Sequence, residues 1–226
     1  MRAPLLVSLL AGFVGLTAAG CAGADEAAHF GPEAVPSARA VAALTDTLAE
    51  ARSTTPRRAA IRRALVRAGV TPFGDGRLQA RFQTDLGIPL VGGFIPGRHP
   101  LGRAELVVLG TRVDGGAVPA VIEAAHVLVQ RSQYATVPER TVEVAFWPGG
   151  DGVRQVLRSS LWPRDQIRAF VVAGGEGPAT VDGVPVIRLD VDAGGVDLAA
   201  ALIEQTAEAA RIPAPSSDTL ATRSPR

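Results

Sequence analysis

Residues 104–110 read AELVVLG, residues 140–147 read RTVEVAFW and residues 167–173 read IRAFVVA. Each is a short run, apolar almost throughout and rich in valine. A strand that faces water on one side alternates apolar with polar residues. An unbroken run needs cover on both faces, as in a parallel sheet flanked by helices. Working outward, residues 118–130 are apolar at helical spacing with Pro119 in the first turn. The turn Pro148-Gly149-Gly150 follows the second run, and 153–160 predict a short helix. A fourth strand is expected over 184–189 and a strong final helix over 196–212. Upstream, Val41, Leu44 and Leu48 place a helix over 37–51. A second helix is expected with Thr55 as its cap, Pro56 at its first position and Gly69 just past its end. It buries Ile61 and Leu65 and exposes Arg57, Arg58, Arg62, Arg63 and Arg67, either as a solvated face or as a contact for anionic lipid headgroups. Residues 78–84 alternate like a strand, and 90–95 form a short apolar run broken by Gly92 and Gly93. Strands alternating with helices predict a three-layer α/β/α domain with a largely parallel central sheet. Ligands in such sheets bind beyond the carboxyl ends of the strands. The segments 111–117, 148–152 and 174–177 are therefore where chemistry is expected.

The first 21 residues have a different character. Arg2 is followed by an apolar stretch over 5–14, then by Ala18, Ala19, Gly20 and Cys21. That order describes a signal peptide over 1–20 with a small-residue cleavage site. A cysteine directly after the site adds the reading of a lipidated N-terminus at Cys21. An unmodified signal peptide and an uncleaved membrane anchor are the alternatives. The expected organisation is thus a signal peptide over 1–20, a tether over 21–36, an α/β domain over 37–212 and a Ser/Thr/Pro-rich tail over 213–226. The expected location is the extracytoplasmic face of a membrane in the cell envelope. Cys21 is the only cysteine, so the fold is expected to rest on its core without an internal disulfide. Arg2 is the only charged residue of 1–20, which leaves 22 of the 23 basic residues against 22 acidic ones. A balance near zero makes no electrostatic case for nucleic acid.

The candidate segments carry a resemblance. Gly93-Phe94-Ile95-Pro96-Gly97, followed by Glu105 to Asp114 (ELVVLGTRVD), resembles the entry to the di-zinc aminopeptidase domain of peptidase family M, number twenty-eight, which includes glutaminyl cyclases. The helix VPAVIEAA (118–125), the strand RTVEVAFW and the start of IRAFVVA resemble elements of that family in the same order. The match covers roughly residues 41–173. The resemblance implies a zinc-peptidase-like fold, and an active member would use two zinc ions and a glutamate base. Position by position, the implied ligand histidine falls on Arg112, the aspartate that would orient its imidazole on Asp114 and the base glutamate on Gly150. A further ligand glutamate falls on Asp151, and the aspartate of the third strand on Gly174. The loop with the bridging aspartate is missing, because only Gly115 and Gly116 separate Asp114 from the next helix. No histidine follows His126. The resemblance therefore implies no metal, no cofactor and no catalytic residue. Arg112 is expected to stand where the metal would be, buried and paired with Asp114 or Asp151. An arginine pointing into solvent is the alternative.

Other catalytic readings are weaker. His29, His99 and His126 share no metal-ligand spacing. Ser159 and Ser160 lack a nucleophile-elbow context. Neither glycine pair opens a helix as a phosphate loop does. Asp190, Asp192 and Asp197 fit a solvated turn better than a calcium loop. Three functions stay open. The first is a non-catalytic peptidase-like domain that binds a peptide or partner protein. The second is a hydrolase with a reduced site at Asp114, Asp151 and Glu176. The third is a structural envelope lipoprotein.

Overall fold

The computed structural model describes residues 31–73, 79–81, 89–134, 138–160, 162–192 and 195–213. The expected signal peptide, Cys21, most of the tether, His29 and the tail from 214 lie outside the described residues. So does the strand expected over 78–84, apart from 79–81.

Seven strands form the sheet: β1 (Gln79–Arg81), β2 (Pro89–Ile95), β3 (Leu106–Arg112), β4 (Thr141–Trp147), β5 (Ile167–Ala173), β6 (Thr180–Val181) and β7 (Val184–Leu189). Their spatial order is β1-β2-β4-β3-β5-β7-β6. The central four, β4-β3-β5-β7, are parallel. The outer pairings are antiparallel. Five α-helices among the described residues accompany the sheet: α1 (Ala38–Glu50), α2 (Thr54–Arg67), α3 (Val118–Tyr134), α4 (Gly152–Ser159) and α5 (Gly195–Ala209). Among the described residues no helix is long and apolar enough to cross a membrane.

Alternation along each central strand sorts its side chains between two cores. Val107, Leu109, Val144, Phe146 and Val171 join the larger core with α1, α2, α3 and α5. Val108, Ala145, Trp147, Phe170 and Val172 face a smaller core closed by Val153 and Val156 of α4, with Phe73 and the partly buried Phe94 and Trp162. Phe94 packs edge-on against Phe73 and Trp162, with ring centroids 4.7 Å apart in both pairs. The two cores explain the unbroken apolar runs: both faces of β3, β4 and β5 are buried. The middle layer is expensive to disturb, since each fully buried Leu, Ile or Phe contributes about 1.5–3 kcal/mol.

The amino ends of the strands are tied by charge. Glu105, just before β3, accepts from Arg140 Nε with one carboxylate oxygen and from Arg168 Nη2 with the other. Arg140 also donates to the carbonyls of Ala209 and Arg211, which pins the end of α5 to the start of β4. The first described residue buried in the core is Ala34, whose carbonyl accepts from Arg131 Nε at 2.9 Å. The amide of Ser37 donates to the buried Glu123 at 2.7 Å. Packing of the domain thus begins within the stretch expected as tether.

Two details of α2 differ from expectation. The helix starts at Thr54, with Ser53 extended before it and no side-chain cap. Arg57 is not a solvated residue. It turns inward and donates to the carbonyls of Val113 at 2.7 Å, Gly115 at 3.1 Å and Leu48 at 3.3 Å. Arg58 and Arg62 are half-buried, whereas Arg63 and Arg67 are exposed as expected.

Candidate functional site

A cleft of about 530 Å³ opens at the carboxyl ends of β3, β4, β5 and β7. That volume lies within the range of small-molecule and peptide sites. Its walls are the three segments marked in the sequence together with the end of β7.

The floor is Trp147, nearly fully buried. A Cβ on Gly110 would lie 2.4 Å from its ring, and a Cβ on Gly152 would lie 2.0 Å from its indole nitrogen. The ring can lie there only because both neighbours lack side chains. The strand ends above it are cross-tied. Thr111 Oγ1 donates to the carbonyl of Ala173 at 2.8 Å, Val113 N to Trp147 O at 2.8 Å and Gly174 N to Leu189 O at 2.8 Å. Arg57 holds the loop after β3 from behind. The frame is therefore rigid, and the chemistry belongs to the side chains on its rim.

Arg112 and Asp114 form a two-point pair, Nη2 to Oδ2 at 2.8 Å and Nε to Oδ1 at 3.0 Å. The hydrogen bond from Arg112 is the main reason the Asp114 carboxyl titrates below its usual range. The partnership with Asp114 is as expected, but the burial is not: the two side chains are 54% and 62% exposed. β3 ends at Arg112 and the chain turns outward at once, so the guanidinium rides on the rim in water. Asp151 does not reach Arg112. It caps α4, accepting from Arg154 N at 3.2 Å, and pairs with Arg154 Nε at 3.3 Å.

Gly150 and Gly174 are turn residues with φ of +69° and +77°. Such backbone costs most L side chains about 1–2 kcal/mol, Asn and Asp being the tolerated exceptions, as at Asp182. At Gly174 a Cβ would also meet Val191 Cγ2 at 2.6 Å. Glu176 is exposed on the glycine loop 174–177. Among the described residues no group of three His, Cys, Asp or Glu side chains converges as a metal site would require. His99 accepts from the amides of Leu101 and Gly102, a turn-forming role. Asp190 accepts from the amide of Asp192 and shapes an exposed turn.

Three features escaped the sequence reading. The helical pattern around Arg57 places it in solvent, whereas two of its partners lie 56 and 58 residues away. Arg188 lines the cleft from β7. Its signal was present in the alternation Val184, Val186, Arg188, which sets a cation at the carboxyl end of an otherwise buried face. Glu143 sits in the middle of β4 with one carboxylate oxygen buried and without a partner. Burial in the smaller core pushes its carboxyl up to about 8.

No protein-family model and no curated protein matches the chain. Solved structures do. A protein of Bacteroides vulgatus assigned as a Zn-dependent exopeptidase superposes with a TM-score of 0.51 at 9% identity, over 79% of this chain and 98% of that one. The glutaminyl cyclase of Porphyromonas gingivalis matches with a TM-score of 0.45 at 13% identity, over 62% of this chain and 61% of that one. A Zn-dependent exopeptidase from Parabacteroides distasonis matches with a TM-score of 0.44 at 13% identity, over 63% of each chain. The chain thus spans about three fifths of the length of the latter two. At such identities the likeness is one of architecture, and the chain has a zinc-peptidase-like α/β/α fold.

Proposed function

We propose that this chain is an exported, membrane-tethered lipoprotein whose peptidase-like domain is non-catalytic and binds a peptide or partner protein in the cleft. The observation that carries the reading is the state of the two glycines. Gly150 and Gly174 occupy positions that the family resemblance gives to a glutamate and an aspartate. Left-handed backbone disfavours a glutamate at 150, and a Cβ at 174 would meet Val191 Cγ2 at 2.6 Å. The other two acidic candidates are engaged. Asp114 is held by Arg112, and Asp151 by Arg154 and its capping role. A zinc ion needs three or four donors at bonding distance. Isolated carboxylates, each beside a guanidinium, do not make that set. The same pairing disfavours Asp114 and Asp151 as members of a reduced hydrolytic site, because a base or nucleophile has to be free to act, and Glu176 alone is exposed on its loop.

The purified full chain is expected to hold no stoichiometric zinc by elemental analysis after incubation with zinc and dialysis. One or two retained ions per chain would overturn the non-catalytic reading. The anchor is tested separately. Cys21→Ser removes the thiol that acylation needs, so the variant is expected in the soluble fraction. A variant still in the membrane fraction means that residues 3–20 are an uncleaved anchor.

A further inference from the structure

The carboxyl end of β7 carries a cation that the fold does not neutralise. Val184 and Val186 lie in the smaller core, and Arg188 follows at the next alternate position, where that core ends and the cleft begins. Its side chain is half-buried, and its Nε is buried without an acceptor. Among the described residues no carboxylate pairs with it. The guanidinium lies against the glycine loop, where a Cβ on Gly177 would be 2.6 Å from Nη2 and 3.0 Å from Cζ. A side chain at 177 would push the guanidinium out of this position, and the φ of +150° there favours glycine. A buried donor without an acceptor is unfavourable, and a partly desolvated cation more so unless an anion joins it. The neighbouring arginines do not share this condition: Arg112 is neutralised by Asp114 and Arg154 by Asp151. The amino-terminal end of α3 opens on the same cleft through Gly115, Gly116 and Ala117 and adds positive potential.

We propose that Arg188 and the glycine loop 174–177 form a carboxylate-binding subsite that receives one end or one acidic side chain of a bound peptide. This rests on the reading of the cleft as a peptide site and specifies what that site recognises. A guanidinium suits the role because its planar fork presents two parallel N–H donors to the two oxygens of a carboxylate. Two sources share that chemistry, a peptide C-terminus and a Glu or Asp side chain. Glu176, exposed on the loop itself, is the internal competitor.

Calorimetric titration of the full chain tests the assignment with four probes: N-acetyl-trialanine, its C-terminal amide, the amide of N-acetyl-Ala-Glu-Ala, and inorganic phosphate. The expected result is that at least one carboxylate probe binds on the order of 10-fold tighter than the uncharged amide, as loss of one charge-assisted pair implies. Which of the two binds names the source. Arg188→Gln is expected to abolish the difference. Arg188→Lys keeps the charge but not the fork and is expected to retain only part of it. Melting curves like that of the parent chain show that these variants are folded. Glu176→Gln is expected to tighten carboxylate binding. Equal binding of acid and amide, binding indifferent to Arg188→Gln, or binding of phosphate alone overturns the subsite. A carboxylate preference that appears only in Glu176→Gln also overturns it, because Arg188 then serves an internal pair with Glu176. Retained zinc would sink the non-catalytic reading and leave the Arg188 result intact. Loss of carboxylate preference without zinc sinks this inference alone.

Discussion

The two ends of the sheet use the same residue types to opposite effect. At the amino ends, Glu105 is shared by Arg140 and Arg168, and Arg140 continues into the carbonyls that close α5. Those charges link β3, β4, β5 and α5. At the carboxyl ends, Arg112 and Asp114 pair on an exposed rim, Asp151 serves its own helix, and Arg188 has no described counter-ion. Those charges link nothing across the fold and instead line a cleft. The difference is one of connectivity and, at Arg140 and Glu105, of desolvation; Arg168 stays half in water. A pair withdrawn from water and bonded to several elements resists the loss of any member, whereas a pair already in water does not. One end therefore holds the domain together, and the other is available for recognition.

Substitutions can break this contrast. The largest effect is expected at the amino end. Arg140→Ala strands Glu105 and releases two carbonyls at the end of α5. Its side chain is only 12% exposed, so the loss is expected at about 2–4 kcal/mol, read from denaturant unfolding. A loss under about 1 kcal/mol would mean that the network is no firmer than the rim.

Between the two ends lies Glu143, which sharpens the contrast through pH. Desolvation lifts its folded-state carboxyl to about 8 from an ordinary 4.5. The folded chain then holds a proton that the unfolded chain releases. Its stabilising contribution is complete below about pH 4.5 and is lost as pH rises to about 8, at up to about 1.4 kcal/mol per pH unit. Glu143→Gln keeps the shape without the titration. It is expected to flatten the fall in melting temperature between pH 5 and 8 and to stabilise the chain at pH 8. An unchanged pH profile would mean that the slope arises elsewhere.

The smallest effect is expected at the rim. Arg112→Ala removes an exposed pair and should leave the melting midpoint almost unmoved, because water replaces the partner. A drop comparable to that of Arg140→Ala would show that the rim pair is structural and would erase the distinction between the ends.

The sequence was informative where a signal is local and repetitive. β5 and β7 fall on the expected residues, and α3 begins at the expected Val118, because unbroken apolar runs and helical periodicity belong to the segment itself. β6 was not anticipated: two residues are too few to show a period. The cleft was legible because ligand sites in such sheets follow from topology. Its contents were harder to read. Arg112 and Asp114 lie two residues apart, so their pairing could be expected, whereas their exposure depends on the path the chain takes after β3. Arg57 and Arg188 required knowledge of what packs against them from distant segments. Glu143 is a polar residue within an apolar run, and only the second core shows that no solvent-facing side exists for it.

On the proposed reading, the turns at Gly150 and Gly174 also bear on history. A peptidase that loses a ligand by changing one side chain can regain it by the reverse change. Here a glutamate at 150 would first incur backbone strain, and an aspartate at 174 would meet Val191. Each step toward a metal would lower stability before any donor set was complete. From this backbone the way into zinc chemistry is uphill at both positions, and selection acting one residue at a time would have to reroute two turns before activity could reward it.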